Sequence, residues 1–239
     1  MALLKVEGLT KYFGGLRAVH GLSFEVRSGE ILGLIGPNGA GKTTVFNLIA
    51  GFIPPTGGQV LLEGENIVGM KPYAVTRKGI ARTFQIVKPF RKLNVLENVT
   101  LAAFMRLPSR AEAEHGARQI LERMGLGLKV LALAADLTLS EQKRLEIARA
   151  LATGPKLLLL DEPMSGLNAT EIEQASLLVR DICKEGVTII WVEHVLKAIM
   201  NSSNRVVVIN QGEKIADGAP EEIVENPEVI AAYLGTKRM

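Results

Sequence analysis

Apolar and polar positions alternate near the start of the chain and then give way to longer apolar runs. The alternation at residues 3–8 and 21–27, on either side of a turn at Gly14 and Gly15, is typical of half-buried antiparallel strands. Continuous apolar runs predict three buried strands, at residues 31–36, 157–160 and 187–192. Helical spacing of apolar residues follows the first two runs, at residues 43–52 and 169–184. Because strands that alternate with helices form parallel sheets, we predict an α/β fold with a parallel sheet and an antiparallel N-terminal part.

The strand pattern disappears between about residues 89 and 155. Segments there are rich in Ala, Glu, Leu and Arg and carry the helical period, as in SRAEAEHGARQILERM. We therefore predict a helical subdomain, residues 89–155, inserted into a core made of residues 1–88 and 156–239. The end of the chain predicts a hairpin about a turn at residues 210–212 and short helices after Pro220 and Pro227.

Composition and charge narrow the class of protein. Of the 239 residues, 47% are hydrophobic and 22% are charged, an ordinary globular mixture that argues against disorder. The net charge of +3 comes without a long basic run, so we expect no nucleic-acid partner. Cys183 is the single cysteine, which excludes an intrachain disulfide and favours a reducing compartment. The most apolar stretch, residues 125–139, is interrupted by Lys129 and Asp136, and we expect neither a membrane span nor an N-terminal secretory signal.

A glycine-rich segment is the first candidate for chemistry. GPNGAGKT, residues 36–43, fits the pattern G-x-x-x-x-G-K-[ST] and lies between a predicted strand and a predicted helix. Small residues there let backbone N–H groups point at phosphates, Lys42 would reach the outer phosphates, and the Thr43 hydroxyl would ligate Mg²⁺. The predicted nucleotide contacts in this segment are Gly36, Pro37, Asn38, Gly39, Ala40, Gly41, Lys42, Thr43 and Thr44. A turn without a ligand is the alternative, and the flanking strand and helix argue against it.

Two adjacent carboxylates, Asp161 and Glu162, end the apolar run LLLL. Burying both is costly unless a cation or a water uses them. Asp161 suits a water-mediated Mg²⁺ ligand, and Glu162 suits the base that polarises the water attacking a γ-phosphate. A solvated turn is the usual interpretation of a lone Asp-Glu pair, but the phosphate loop and the apolar strand together favour catalysis.

With these motifs in place, the whole chain resembles the ATP-binding cassette (ABC) family. The resemblance implies a P-loop NTPase cassette with a RecA-like parallel-sheet core, an N-terminal antiparallel β subdomain and the inserted helical subdomain. RTFQ is similar to the family's Q-loop, which implies that Gln85 ligates Mg²⁺ and water and senses the membrane partner. His194, closing VTIIWVEH, resembles the switch histidine that contacts the γ-phosphate. In LTKYFGG, Phe13 corresponds to the aromatic residue that stacks on adenine, with Tyr12 as second choice and a core aromatic as the alternative for either.

Two further motifs resemble segments that the family uses between cassettes. SGLN is similar to the D-loop, whose residues here are Ser165, Gly166, Leu167 and Asn168, with Asn168 where Asp is commoner. LTLSE stands at the signature position, whose residues here are Leu137, Thr138, Leu139, Ser140 and Glu141. In the family, the signature of one subunit caps the ATP held by the other; both of its glycines are missing here, although Thr138 keeps a hydroxyl. Ser140 could donate a hydrogen bond to that phosphate or crowd it, and the sequence leaves both open.

Four longer segments resemble the ATPases of branched-chain amino-acid importers: KYFGGLRAVHGLSF, GIARTFQIVKPFRKLNVLENV, EHVLKAIMNSSNRVVVINQGEKIADG and VIAAYLG. The resemblance implies an ATP hydrolase coupled to solute transport, with ATP and Mg²⁺ as cofactors, bound peripherally to the cytoplasmic face of the membrane. It also implies permease subunits, which would contact residues 87–99. Phe90 and Leu93 there would meet a permease helix, and ordinary core packing is the alternative for each. A second cassette, either a paralogue or a second copy, would complete a head-to-tail dimer.

Other functions stay open at this point. The ATPases of urea importers and lipopolysaccharide exporters share much of the C-terminal pattern. A cassette for DNA repair or the ribosome would carry a long coiled-coil insertion or a second cassette, and the sequence has neither. Leu139 and Ser140 in place of glycine favour a weakly hydrolysing regulatory subunit, whereas intact Lys42, Glu162 and His194 argue against one.

Overall fold

The computed structural model describes residues 2–234, so Gly235, at the end of the VIAAYLG segment, lies outside the described residues. Ten strands are described: β1 Ala2–Phe13, β2 Leu16–Arg27, β3 Ile31–Ile35, β4 Gly57–Leu62, β5 Glu65–Asn66, β6 Ile80–Arg82, β7 Leu157–Asp161, β8 Thr188–Val192, β9 Arg205–Asn210 and β10 Glu213–Gly218. Nine helices are described: α1 Lys42–Ile49, α2 Pro72–Lys78, α3 Val95–Ala103, α4 Arg110–Arg123, α5 Leu139–Ala152, α6 Ala169–Lys184, α7 Leu196–Ser202, α8 Pro220–Glu225 and α9 Pro227–Leu234. No helix in residues 2–234 combines the length and apolar character needed to cross a membrane.

The N-terminal strands form an antiparallel sheet of four strands in the order β2-β1-β4-β5. Strands β1 and β2 make a hairpin whose register places Phe13 opposite Leu16 across the Gly14 and Gly15 turn. Gly14 has a φ of 57°, a conformation that favours glycine. The predicted hairpin is therefore confirmed, and both strands are longer than the alternating segments that predicted them.

The second sheet has six strands in the order β10-β9-β3-β8-β7-β6. Its strands run parallel except β10, which pairs antiparallel with β9 in the predicted C-terminal hairpin. The three predicted buried strands are β3, β7 and β8. In their register Asp161 lies opposite Val192, so the loops that follow β3, β7 and β8 meet at one edge of the sheet.

Leucines of β7 divide between two hydrophobic cores, one on each face of the six-stranded sheet. Leu157 and Leu159 lie in the core below the antiparallel sheet, together with Phe46 of α1. Leu158 and Leu160 face the opposite core, which α3 to α7 share. Because each fully buried leucine contributes about 2 kcal/mol, this double burial fixes the sheet that carries the site.

The region of residues 89–155 contains α3, α4 and α5. Two short 3₁₀ turns and an isolated bridge between Asn94 and Leu133 complete it. Helix α3 begins with a capping box in which Asn94 accepts from the Glu97 backbone N–H at 2.7 Å. The contents are those expected of the helical subdomain, while the division of the chain into core and subdomain stays a prediction.

Helix α1 is shorter than the sequence pattern predicted. The apolar spacing extends to residue 52, but the helix ends at Ile49. Gly51 follows with a φ of 74°, and a Cβ at that position would lie 2.5 Å from the Met70 carbonyl oxygen. The close approach of another segment therefore ends the helix before its hydrophobic pattern ends.

Candidate active site

The glycine-rich loop joins β3 to α1. Gly41 has a φ of 103°, and a Cβ there would lie 2.4 Å from the Ala18 carbonyl oxygen, so the loop requires glycine at this point. Lys42 is buried, and its Nζ donates to the carbonyls of Gly36 at 2.7 Å and Pro37 at 3.0 Å. Burial lowers the pKa of Lys42, while the negative charges of Glu162 and Asp161 oppose that shift. The loop thus holds a cation beside backbone N–H groups, as a phosphate site requires.

A cavity of about 380 Å³ lies against this loop. It is lined by Phe13, Leu16, Arg17, Ala18, Asn38, Gly39, Ala40, Gly41, Lys42, Thr43, Thr44, Gln85, Glu162 and His194. Predicted residues from five separate segments therefore lie around one space of ligand size. The sequence did not point to Leu16, Arg17 or Ala18, which reach the cavity from the start of β2.

The two aromatic candidates for adenine stacking point in different directions. Phe13 lines the cavity and is 47% exposed, with Lys11 Nζ at 5.2 Å from the centre of its ring. The Tyr12 hydroxyl instead lies 3.1 Å from Nδ1 of His20. This placement favours Phe13 over Tyr12 as the stacking residue.

Asp161 is buried at the end of β7. Its Oδ2 accepts from Nη2 of Arg82 at 2.8 Å, whereas its Oδ1 is buried and has no hydrogen-bond partner among residues 2–234. Burial raises the pKa of Asp161, and the hydrogen bond and charge of Arg82 act against that rise. An unpartnered buried carboxylate oxygen is suited to a hydrated cation.

The three predicted Mg²⁺ ligands, Thr43, Gln85 and Asp161, line one groove beside the cavity. Across residues 2–234, no group of three or more His, Cys, Asp or Glu side chains is placed to hold a metal. Mg²⁺ is usually held by one or two protein oxygens together with substrate phosphates and water. The residues present therefore fit Mg²⁺ that arrives with a nucleotide.

Glu162 brings the remaining predicted catalytic residues together. Its Oε2 accepts from Nε2 of Gln85 at 2.8 Å, and its Oε1 lies 2.5 Å from Nε2 of His194. Glu162 itself is buried, whereas the side chain of His194 is 48% exposed. A carboxylate held between an amide and an imidazole at the cavity wall is positioned to accept a proton from water.

Three charged residues near the site were missed at the sequence level. Lys143 of α5 is buried and donates to the Glu162 carbonyl at 3.0 Å. Glu193 accepts from the backbone N–H groups of Met164 at 2.6 Å and His194 at 3.1 Å. Burial lowers the pKa of Lys143 and raises that of Glu193. The third is Arg82, and its only sequence signal is its place three residues before Gln85.

The signature residues lie around the start of α5. They are not among the residues that line the cavity at the phosphate loop. Thr138 is the N-cap: its Oγ1 accepts from the Glu141 N–H at 3.4 Å, and Glu141 accepts from the Thr138 N–H at 3.0 Å. Burial alone would raise the pKa of Glu141, but the hydrogen bonds from Lys129 and Thr138 outweigh it and lower that pKa. Leu137 is buried, Leu139 is exposed and Ser140 is partly exposed.

The D-loop lies beside this end of α5. A Cβ at Gly166 would lie 2.9 Å from Cδ2 of Leu139, so the signature and the D-loop of one chain are in contact. Ser165 is exposed and Leu167 is partly buried. Asn168 is the N-cap of α6 and accepts from the Glu171 N–H at 3.0 Å. Because Asn and Asp cap helices about equally well, Asn168 keeps this local structure.

Comparisons with known proteins agree with the geometry. A family profile described as ABC transporter matches residues 19–165, and one described as branched-chain amino acid ATP-binding cassette transporter matches residues 213–238. The high-affinity branched-chain amino acid transport ATP-binding protein BraF of Pseudomonas aeruginosa is 43% identical, over 98% of this chain and 98% of its own length. LivG of Escherichia coli, with the same description, gives the same identity and coverage. The lipopolysaccharide export system ATP-binding protein LptB of Escherichia coli is 34% identical, over 98% of both chains.

Solved structures lead to the same family. MJ1267, an ATP-binding cassette of an ABC transporter, superposes with a TM-score of 0.91 at 31% identity, covering 98% of this chain and 100% of its own. A dimeric post-hydrolysis state of the cassette MJ0796, bound to ADP and Pi, gives a TM-score of 0.82 at 25% identity, covering 91% of this chain and 98% of its own. The phosphate loop, the paired carboxylates and the matched sequence all show that the chain belongs to the ABC transporter family, as one of its ATP-binding cassettes.

Proposed function

We propose that this chain is the ATP-hydrolysing motor subunit of an importer for branched-chain amino acids. The observation that carries the proposal is the contact of Gln85 and His194 with Glu162, beside a phosphate loop. The solute is supported by the relatives BraF and LivG, which match nearly the whole chain and exceed LptB in identity.

The residues divide the work of hydrolysis. The loop N–H groups and Lys42 bind the phosphates, and Phe13 stacks on the base. Thr43, Gln85 and Asp161 would hold Mg²⁺, which would neutralise charge on the nucleotide phosphates. Glu162 accepts the proton of the attacking water.

His194 and Gln85 keep the Glu162 carboxylate aimed into the cavity. Gln85 donates a hydrogen bond to one of its two oxygens and His194 contacts the other, so the carboxylate cannot rotate away without losing one of these contacts. The exposed His194 can then turn from Glu162 to the γ-phosphate. Closure of a second cassette would supply the cap that the signature provides in the family.

The membrane partner fits the surface next to the Q-loop. Phe84, Ile86 and Phe90 are exposed there, and Arg149 lies 4.6 Å from the centre of the Phe90 ring. Exposed apolar side chains grouped beside one groove favour contact with a permease helix. The chain would thus act at the cytoplasmic face of the membrane without spanning it.

A weakly hydrolysing regulatory subunit is the second candidate. Leu139 and Ser140 favour it, because both place side chains where the family has glycine. Lys42 and Glu162 at one cavity, with Asp161 in the groove beside it, support hydrolysis instead.

Reconstitution with the permease tests the proposal. The complex would be placed in proteoliposomes with enclosed ATP, and uptake of labelled leucine, isoleucine and valine would be measured. We expect uptake and ATP hydrolysis in the parent, and neither in Lys42→Ala. Hydrolysis without uptake of any of the three amino acids would contradict the assigned solute, and equal rates in Lys42→Ala would contradict the assigned site.

A further inference from the structure

Arg82 lies where three elements meet beside the proposed Mg²⁺ site. It ends β6, and its side chain is only 6% exposed. Nη2 donates to Oδ2 of Asp161 at 2.8 Å, and Nη1 donates to Oδ1 of Asn47, on α1, at 2.5 Å. Arg82 therefore joins the helix that follows the phosphate loop to the carboxylate at the end of β7.

Three phenylalanine rings surround the guanidinium and form an aromatic cage: Phe46, Phe52 and Phe84. Their centres lie 5.7, 5.7 and 5.1 Å from the guanidinium carbon of Arg82. Phe52 and Phe84 also meet edge to face at 5.6 Å. Rings at this distance attract a cation through their negative faces. The cage thus fixes the orientation of the guanidinium as well as its position.

The aromatic cage is held by the hydrophobic core on one side and by the Q-loop on the other. Phe46 is fully buried in the core, while Phe84 belongs to the Q-loop and its backbone N–H donates to Glu146 of α5 at 3.0 Å. Phe52 and Phe84 are nearly half exposed. The guanidinium is therefore held between the core and the surface groove that Thr43, Gln85 and Asp161 line.

Stability alone does not explain a cation at this place. A buried ion pair often gives no more stability than apolar side chains of equal volume. Nε of Arg82 is buried without a partner among the described residues, which adds a further cost. The rings attract the guanidinium but would also pack against an apolar side chain. Among the described residues, the ion pair of Arg82 is with Asp161, so its charge acts on that carboxylate.

We infer that Arg82 is a positioning residue that orients the Asp161 carboxylate for Mg²⁺. By holding Oδ2, it leaves Oδ1 as the oxygen that faces no protein partner within residues 2–234. Removing the guanidinium frees Oδ2, so the carboxylate can turn away from the groove. The inference rests on the role of Asp161 in the proposed function.

The test is the effect of Mg²⁺ on binding of a fluorescent, non-hydrolysable ATP analogue to the full chain. Four variants are compared with the parent: Arg82→Met, Arg82→Lys, Asp161→Asn and Arg77→Met. Arg77 is the matched control, since it also lies near an aromatic ring, Tyr73, at 6.0 Å, and its loss removes the same charge from the surface. Thermal unfolding of each variant is measured in parallel.

Mg²⁺ should strengthen binding of the ATP analogue. For Arg82→Met we expect the Mg²⁺ concentration that gives half of this strengthening to rise about 10- to 100-fold. Affinity in EDTA should stay within about twofold of the parent, because the phosphate loop is intact. Arg82→Lys should recover part of the Mg²⁺ effect, and Arg77→Met should behave as the parent. This pattern separates a positioning role from general destabilisation, which would weaken binding with and without Mg²⁺.

A folded Arg82→Met variant with the Mg²⁺ response of the parent would overturn the inference. If that variant does not fold, Arg82→Gln takes its place, because it also removes the charge, and a response within about twofold of the parent's would overturn the inference as well. Asp161→Asn separates the role of Asp161 in Mg²⁺ binding from the role of Arg82. If it also leaves the Mg²⁺ response unchanged, the assignment of Asp161 fails first; if it abolishes the response while Arg82→Met does not, only the role of Arg82 fails.

Discussion

Glu162 has a φ of 49°, which is uncommon for a residue other than glycine. Such a conformation costs about 1 kcal/mol or more and persists where neighbours enforce it. Here the Glu162 N–H donates to the Val192 carbonyl at 2.9 Å, and Lys143 donates to the Glu162 carbonyl at 3.0 Å. The turn directs the carboxylate to Gln85 and His194. Backbone strain is thus used to place the proposed base.

The placement of Phe13 at the cavity predicts how the base is bound. Phe13→Ala should weaken ATP binding by about 1 kcal/mol, roughly fivefold, because stacking on the ring is lost. Tyr12→Ala is the control and should leave affinity nearly unchanged. Equilibrium titration with ATP and GTP measures both, and GTP should bind within about tenfold of ATP since stacking hardly distinguishes the bases. A larger loss in Tyr12→Ala than in Phe13→Ala would show that the assignment of the two residues is wrong.

At the scale of elements, α5 connects several parts of the site. Its first turn carries the signature residues, Lys143 contacts the Glu162 carbonyl, and Glu146 accepts from the Phe84 N–H in the Q-loop. A shift of this one helix would therefore reach both the proposed base and the Q-loop surface that we propose for the membrane partner. The helix is well suited to couple the two.

Glu146 makes folding stability depend on pH. Burial raises its pKa to about 7 from 4.5, against the opposing effects of the Phe84 N–H, Arg149 and Lys143, while Asp161 adds to the rise. Below about pH 4.5 the Glu146 carboxyl is protonated in both the folded and the unfolded state. As the pH rises towards 7, it ionises only in the unfolded state. The free energy of unfolding therefore falls by roughly 3 kcal/mol. Glu146→Gln should remove this loss.

Chemical denaturation at pH 5 and pH 8 measures the effect. The parent should lose more stability between the two pH values than Glu146→Gln does. Glu173→Gln, on the exposed face of α6, is the control and should follow the parent. Identical pH dependence in all three proteins would show that Glu146 is ionised in the folded state throughout this range.

Long periodic segments were predictable from sequence, whereas short elements were predictable only where an apolar run or a proline marks them, as in β3, β7, β8, α8 and α9. Helix α6 spans Ala169–Lys184 as predicted, because its sixteen residues carry several turns of amphipathic pattern. The three-residue strand β6 and the seven-residue helices α2 and α7 had no prediction, since such elements depend on tertiary contacts.

The same limit applies to the site. The phosphate loop and the Asp161–Glu162 pair follow local patterns, and the predicted family and fold class are confirmed. The contacts of Arg82 with Asp161, of Lys143 with Glu162 and of Glu193 with Met164 join residues that are distant in sequence, which no local pattern encodes. The individual site assignments stay predictions until variants are measured.

At the scale of the whole molecule, the phosphate-loop cavity and the signature occupy separate places. Lys42, Glu162 and His194 surround one cavity, whereas Leu139 and Ser140 lie at the start of α5 beside the D-loop. In a head-to-tail pair, each chain would hydrolyse one ATP and cap the other. If the partner is a paralogue with glycines in its signature, the two ATP sites are chemically unequal.

This asymmetry predicts different effects of equivalent changes in a heteromeric complex. Glu162→Gln should abolish transport, and the same change in the partner should be milder. The side chains of Leu139 and Ser140 would keep the signature backbone N–H groups away from the γ-phosphate, and losing one such contact can slow hydrolysis by about a hundredfold. Ser140→Gly should raise total ATPase activity by giving the γ-phosphate room. Steady-state hydrolysis and uptake measure both. Equal effects of the two glutamate changes, with no gain from Ser140→Gly, would mean that Ser140 caps the partner's ATP without slowing its hydrolysis.

Single-turnover hydrolysis of Mg-ATP by the parent and by Glu162→Gln tests the central claim most directly, with ATP binding measured on the same samples. Glutamine keeps the shape of the side chain but cannot take the proton of the attacking water. We expect Glu162→Gln to bind ATP as the parent does, to hydrolyse it at less than about a tenth of the parent rate, and to accumulate as an ATP-bound dimer. Turnover close to the parent rate, with binding intact, would contradict the account of this chain as a motor driven by Glu162.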